Sequence, residues 1–554
     1  MGCGDDDDSD GANSGDTATP AQGTVAPGND GFPSPTATNE GETGAPALTA
    51  TGFVVGDGQF DPHRTQVGTV LGQQALVYNR LLTYANQAEN IIRPDVAMQM
   101  PEQPEEQTYV FRLNPAARWQ DVSPLNGRRL TAEDVKYSFE RQMSGEDAAA
   151  HRQARLSVIE SIEAPSDDEL VIRTSTPHAG FLSRIADPAA MIVPPEHQEG
   201  LEFSATSQPG SGPFLWVEWD EENFASVAQN PDYWGEQPRL GGVTVVQLDD
   251  ASQVEASLRV KDVDVAFVGR PQANRLREAI PSLREQLIGN ALFFGMRFYT
   301  PQAPFNDVRY RRALTYALDR ENMIDVFFQG SGEMNPWISW PVTNWTLPAD
   351  ELADEPGYRG GESGREENLA EARQMLDAME ADGNDVPTTV KLLTEVTSEQ
   401  QLSLGSIIAR HLAEIGITVE LEYVPINELV ERHFAGDAAW IAGPDTGWLD
   451  LDDWVYPYFH SDGSQNSFAL RDDDLDTMIE EQRIEFDAER RREMGYRIQR
   501  HLLAINAGVN LVSERVVALS WPYVRNFPLD ITEGYQDRYA SCEIDTSDPT
   551  YRPS

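Results

Sequence analysis

The chain has 554 residues, 40% of them apolar, which is too many for one ordinary domain and enough for more than one core. Its formal charge of −49, from 91 acidic against 42 basic residues, excludes the basic footprint of a nucleic-acid binder. The two cysteines, Cys3 and Cys542, lie far apart, so there is no disulfide framework and no CxxC metal or redox motif. No apolar run approaches the roughly 18 residues that a membrane helix needs. Lysine occurs only at Lys136, Lys261 and Lys391. Such an acidic, lysine-poor surface suits a salty milieu or reflects genome composition.

In chain order, residues 1–46 are Gly, Asp, Ser, Thr, Pro, Ala and Asn with little to bury, and a disordered acidic tether is expected. Gly2-Cys3 ahead of that tether looks like the end of a bacterial lipobox, with Cys3 the lipidated residue and the apolar signal segment removed. The alternative is an incidental cysteine in a tail. Asp6 occupies the position where N-myristoylation wants Ser or Thr. The globular part begins near Leu48, with a short strand at Phe53–Val55 running into the turn GDGQFDPH. Leu76, Val77, Leu81 and Leu82 have helical spacing. TYVFRLN alternates as a strand, and LTAEDVKYSFERQM starts a helix with Thr131 as cap, Asp134 three residues on, and Leu130 placed against Val135. DELVIRTS, GGVTVVQL and DVDVAFV read as strands, the last two separated by a helix over Ala251–Val260.

Beyond these, NDVRYRRALTYALDRENMIDVFFQG reads as a helix capped by Asn306 or Asp307 and ended by Gly330. NLAEARQMLDAM is a helix, TTVKLLTEV a strand, QLSLGSIIARHLAEIG a helix and ITVELEYVP a strand. That strand–helix–strand order predicts a parallel pair. The stretch from Asp472 to Asn506 is one or two surface helices. The pattern is α/β in at least two lobes, without internal repeats.

The sequence carries no GxSxG, HExxH, GxxxxGK[ST] or strand-following GxGxxG motif, and its eight His are scattered without metal-ligand spacing. Asp5–Asp8 is a solvated charge run, and GSGPF at Gly210–Phe214 a tight turn. No cofactor or metal is expected.

In this order the segments resemble the family 5 extracellular solute-binding proteins of ATP-binding cassette transporters, the dipeptide, oligopeptide and nickel binders. YVFRLNPAARWQDVSPLNGRRLTAEDVKYSFER, SQPGSGPF, AQNPDYWGEQPRLGGV, PFNDVRYRRALTYALDRENMI and IIARHLAEIGITVELEYV each match a family segment, from about residue 50 to about 530. The marks are mostly structural: Trp119, Tyr233 and Trp234 read as packing residues, and Arg311 and Arg312 as surface or salt-bridged. The resemblance implies a two-lobed periplasmic-binding-protein-like fold of class II with an additional domain, its lobes joined by a hinge. Lobe one would combine 47–72, 205–293 and 515–554, the extra domain 73–204, and lobe two 294–514. It implies a monomeric, extracytoplasmic, lipid-anchored binder of a small solute, a peptide first, that serves a permease and ATPase and makes no bond itself. The rivals are a carboxylate-dependent hydrolase using acids near Asp450, and a relative that binds a ligand but feeds no permease.

The family's cleft is lined by loops after strands. Here that points to Phe60 and Asp61 in GDGQFDPH, to Trp337, Trp340 and Trp345 in or after GSGEMNPWISWP, to TEVTSEQ, and to Asp445, Trp448, Asp450 and Asp452 in GPDTGWLDLDDW. The tryptophans are cleft walls or lobe core. In peptide-binding relatives a Gly-Trp pair is followed, three residues after the Trp, by an Asp that grips the peptide's amino terminus. Gly447 and Trp448 match, but Leu451 stands where that Asp belongs. In an extended segment Asp450 and Asp452 share one face. Either the register slips and Asp450 or Asp452 reaches the cleft, Asp450 being favoured, or the anchor is absent.

Overall fold

The computed structural model describes residues 44–551 apart from 53, 55–58, 66–67, 144–154, 221–222, 249, 290–292, 339–341, 396–398, 436–438, 446–448, 528–538 and 540. Residues 1–43 of the expected tether, Cys3 among them, and most of the expected strand Phe53–Val55 therefore lie outside the described residues.

The first ordered strand is β1, Leu48–Thr51. Helix α1, Gly68–Gln74, follows. The helix expected over Leu76–Leu82 does not form: a turn at 75–77 leads to β2, Leu82–Asn86, paired with β3, Ile91–Pro94. Residues Gln73 to Thr83 are buried throughout, so the apolar spacing there marks a doubly covered segment and not one helical face. The backbone turns outward to its neighbours instead, the Val77 carbonyl accepting from Gly212 N at 2.7 Å and that of Leu76 from Phe214 N at 3.2 Å. A Cβ on Gly210 would run into the Val77 carbonyl, which is why the GSGPF turn needs its glycines.

A four-stranded antiparallel sheet comes next, in the order β4-β5-β7-β6, from β4 (Glu102–Glu105), β5 (Thr108–Arg112), β6 (Ile159–Ser166) and β7 (Glu169–Thr174). Helix α2, Ala132–Met143, packs on it. Its start follows the expected capping chemistry: the Asp134 carboxylate accepts from Thr131 N at 2.8 Å, while Leu130 and Val135 are both fully buried. Such a cap is worth about 1 kcal/mol. Arg128 clamps the same carboxylate with both Nη atoms, at 2.9 and 2.8 Å. A short helix α3, Phe181–Ile185, leaves this module.

The large sheet runs β12-β19-β11-β1-β10-β9-β8, with β14 added on β19. Its members are β8 (Phe214–Asp220), β9 (Phe224–Gln229), β10 (Gly242–Val246), β11 (Val265–Val268), β12 (Arg284–Gly289), β14 (Gly332–Met334) and β19 (Val512–Ser520). Helix α4, Ala251–Val260, joins β10 to β11, as the sequence predicts, and starts at an Asp250 cap; α5, Arg270–Ala279, follows β11. Strand β1 lies between β10 and β11 and is parallel to both.

The second sheet is β16-β15-β17-β13-β18, from β13 (Phe293–Arg297), β15 (Thr389–Glu395), β16 (Thr418–Val424), β17 (Ala439–Asp445) and β18 (Gly508–Asn510). The expected parallel pairing of β15 with β16 forms in full register, Thr389 opposite Thr418 and Glu395 opposite Val424. The long helix expected after Asp307 is broken into α6, Val308–Tyr316, and α7, Arg320–Phe328. The break falls where Asp319 caps a new helix by accepting from Asn322 N, a local competitor to the helical ladder. Helices α8 (Ala349–Asp354), α9 (Gly361–Ala381), α10 (Glu399–Ala413), α11 (Ile426–Phe434), α12 (Leu451–Phe459), α13 (Asp473–Arg483) and α14 (Ala488–Ile505) complete this part.

The chain passes between the two large sheets from β12 to β13 and from β18 through Leu511 to β19, while β14 pairs only with Val512–Glu514 at the start of β19. The strands around both passages pair antiparallel, Gly289 with Arg515 on one side and Gly295 with Asn510 on the other. This two-stranded connection is the hinge of a two-lobed α/β fold, and each large sheet has its own hydrophobic core. A third core joins the four-stranded module to residues 337–345 and 449–507, that is, to α12–α14 of the other lobe.

Candidate functional site

In open α/β sheets a ligand binds beyond the carboxyl ends of parallel strands. Here β1 is flanked by parallel neighbours in one lobe, and β15 lies parallel to β16 and β17 in the other. The segments leaving the carboxyl ends of β1, β15 and β17 are GDGQFDPH, TEVTSEQ and the stretch beginning at Asp445, the same ones read as cleft loops. Asp445 closes β17 opposite Phe293. Trp340 and Trp448 lie outside the described residues.

Phe60 is half-buried at the edge of Trp219, with ring centroids 6.0 Å apart. Its carbonyl accepts from the side-chain amides of Gln74 at 2.8 Å and Gln208 at 3.0 Å, which fixes the loop after β1. Asp61, expected to face a solute, is instead buried and clamped by Arg141 of α2. It also accepts from His63 N at 2.9 Å. Burial alone would raise this carboxyl, but the hydrogen bond and charge of Arg141 outweigh it and hold it below the usual range. Asp61 is thus a strut between β1's loop and the four-stranded module, which corrects its assignment as a ligand contact.

Trp337 is likewise core: it is 5% exposed and meets Phe459 and Phe468 edge-on at 4.9 and 5.9 Å. Trp345 donates to the Leu449 carbonyl at 2.9 Å beneath the guanidinium of Arg491. For these two tryptophans the core alternative holds. Trp119 is core as expected, and Arg311 is buried against the carbonyls of Phe305, Ile505 and Asn506, where it satisfies the end of α14.

The acids after Trp448 are not on an extended segment. Asp450 is the N-cap of α12 and accepts from Asp452 N at 3.0 Å. Leu451, Trp454, Val455, Tyr458 and Phe459 then have helical spacing, a signal present in the sequence beneath the conspicuous acids. All three acids are buried, with Asp452 fully so. Arg491 holds Asp450 with two parallel bonds of 2.8 and 2.7 Å, and Ser183 donates to it at 3.3 Å. Asp452 accepts from Arg184 at 2.8 Å and Gln482 at 2.7 Å, with Arg483 at 3.2 Å. Asp453 accepts from Arg155 at 2.8 Å.

Burial raises Asp450, but the charge of Arg491 overcomes it and leaves this carboxylate strongly depressed. Burial pushes Asp453 up against the pull of Arg155 and Arg184. His178, 3.6 Å from Asp452, is pushed down to about 3 by burial and by Arg184, and stays neutral. Asp450 and Asp452 are therefore corrected from candidate solute contacts to members of an arginine-neutralised interior. The arginines that hold them most closely were invisible in the sequence, Arg491 lying 41 residues from Asp450 and Arg184 268 residues from Asp452. The arrangement offers no unpaired carboxylate for acid–base work. Among the described residues no group of three or more His, Cys, Asp or Glu side chains could hold a metal ion.

A model of the bacterial extracellular solute-binding proteins, family 5, matches residues 92–466. The oligopeptide-binding protein AppA of Bacillus subtilis is 26% identical over 321 residues, 55% of this chain. The match spans 57% of that relative's length. In structure, the chain resembles the periplasmic binding protein DppA from Helicobacter pylori in complex with the peptide STSA, with a TM-score of 0.72 at 19% identity, over 90% of this chain and 98% of that one. It also resembles NikA from Brucella suis in complex with Fe(III)-EDTA, with a TM-score of 0.74 at 17% identity, over 90% and 100%. At these identities the two structures establish the fold. Among the described residues no helix is long and apolar enough to cross a membrane.

Proposed function

The chain belongs to the family 5 bacterial extracellular solute-binding proteins, and on that premise we propose that it captures a small solute, a peptide first, and delivers it to the permease of an ATP-binding cassette transporter. The observation that carries this reading is the hinge. Two adjacent antiparallel strand connections join two sheets, each with parallel strands whose carboxyl ends precede the segments we assign to the cleft. A solute buried between lobes binds the closed state better than the open one, and that differential affinity is what shifts the population. No bond is made or broken in the cycle. We assign 47–72, 205–293 and 515–554 to one lobe, 294–514 to the other and 73–204 to the extra module, and place Phe60, Trp340, Asp445 and Trp448 at the cleft. Cys3 is the proposed lipid attachment point of an extracytoplasmic monomer; metabolic labelling with radioactive palmitate, lost in Cys3→Ser, tests it.

The peptide reading draws on AppA, an oligopeptide-binding protein, and on DppA in complex with the peptide STSA. A second reading, a non-peptide solute, is favoured by Asp450: both of its oxygens are held by Arg491, so the carboxylate expected to grip a peptide ammonium is neutralised from within. NikA, with its metal chelate, has the same fold. Calorimetry with dipeptides to pentapeptides, oligosaccharides and metal chelates separates the two. Micromolar binding of peptides supports the first reading. Millimolar peptides beside a micromolar non-peptide would replace it with the second, and turnover of any of these compounds would overturn both.

A further inference from the structure

The buried charges around α12 belong to two bodies that the chain does not connect directly. Residues 82–185 are tied at both ends to the large sheet that contains β1 and β8. Helices α12, α13 and α14 lie between β17 and β18 and so move with the second sheet. Any opening at the connections from β12 to β13 and from β18 to β19 therefore parts these two faces.

What they share is a hydrophobic core, in which Phe181 and Ile185 of α3 meet the cluster of Leu451, Trp454 and Val455 of α12, with a dry set of charges built into it. One face carries Asp450, Asp452, Asp453, Arg483 and Arg491; the other carries Arg155, Arg184, Asp187 and the neutral His178. Asp450 with Arg491 and Asp452 with Arg483 pair within one face, and Asp187 with Arg155 within the other, whereas among the described contacts Asp453 and Arg184 meet opposite charges only across the junction. Arg184 reaches Asp452 at 2.8 Å and Asp453 at 3.7 Å across the junction, and Arg155 reaches Asp453 at 2.8 Å. The backbone crosses it as well. Ala179 N donates to the Arg483 carbonyl at 2.7 Å, and Asn344 N to that of Ala88 at 3.0 Å. Gly180 lies so close that a Cβ there would sit 2.6 Å from Asp450 Oδ1.

We propose that this junction is a closure latch that makes the hinge two-state. Buried charges are tolerated when paired with good geometry and costly when not. A partly closed molecule would strip water from Arg184 and Asp453 without pairing them. Intermediate angles are therefore disfavoured, and the molecule is either open with the charges hydrated or shut with them matched. The latch concerns the hinge and holds for whichever solute the cleft takes, so its test is independent of solute identity.

The experiment is pulsed electron paramagnetic resonance on the solute-stripped full chain. Spin labels replace the exposed Val260 and Glu380, one on each lobe, in a Cys3→Ser background that leaves Cys542 buried. The wild-type junction gives a distribution with discrete short and long populations. Arg155→Gln/Arg184→Gln lowers the short population about tenfold or more and broadens the remainder, with Arg184→Lys intermediate. An unchanged distribution in the double variant overturns the latch. Hydrogen exchange at Ala179 in the unsubstituted chain gives a second reading that needs no variant. Its protection should fall in step with the open population. If Ala179 stays protected while the labels move apart, the junction is a fixed joint inside one body and the proposal fails.

Discussion

Replacing Arg491 by Met tests whether the acids of α12 belong to the interior or to a solute. Arg491 makes two charge-assisted bonds to Asp450, at 2.8 and 2.7 Å, and stacks 4.9 Å from the Trp345 ring centre. Its removal leaves Asp450, 2% exposed, with Ser183 and the Asp452 amide as its remaining partners in the described contacts. Uncompensated burial of one partner costs about 3–5 kcal/mol. The lost ring contact adds roughly 0.5–2 kcal/mol. By contrast Arg259 and Glu255 form an exposed pair one helical turn apart on α4, so Arg259→Gln should change stability by less than about 0.5 kcal/mol. Asp450→Leu/Arg491→Met removes both charges and should recover most of the loss. Urea unfolding followed by tryptophan fluorescence reads all three variants. The reasoning is refuted if Arg491→Met loses less than about 1 kcal/mol while Asp450→Asn abolishes binding of a cationic solute, because Asp450 would then face the cleft.

The half-buried Asp264 carboxyl is pushed up to about 6 by desolvation, which outweighs its bonds from Tyr523 and Thr49 N. Between its unfolded value, about 4, and about 6 the folded state keeps a proton that the unfolded chain has lost. Stability should therefore fall as pH rises through that window, by up to about 3 kcal/mol, and Asp264→Asn should flatten the slope in urea titrations at pH 4, 5, 6 and 7. Cys542 is fully buried and its thiol is raised to about 12, chiefly by burial, so in Cys3→Ser protein a disulfide reagent at pH 8 should label it only after unfolding; rapid labelling of native protein would contradict its placement. Gly210→Ala should cost about 2 kcal/mol or more by driving the turn off the Val77 carbonyl, and an unshifted melting curve would show that the turn can relax.

Where local chemistry and tertiary demand agree, the fold was legible from residues alone. Thr131 with Asp134, the span of α4, and the β15–α10–β16 unit all formed as their spacing implied. It failed where burial on both sides erased the period, at Leu76–Leu82, and where one side chain reset a helix, at Asp319. The candidate site was the harder part. Acids beside aromatics suggested a ligand face, whereas Asp450 was the ordinary cap of an amphipathic helix and its charge was answered by Arg491. Asp61 and its partner Arg141 are 80 residues apart, a pairing that only the folded chain creates. Long-range charge pairing leaves no local period or spacing, so cleft and interior carboxylates look alike in a sequence.

Native mass spectrometry of the full chain as purified tests the central claim most directly. The account predicts a defined small solute retained at one per chain, lost on denaturation and restored when the extracted compound is added back. A chain that retains no solute and takes up none from peptide, oligosaccharide or chelate mixtures would contradict it.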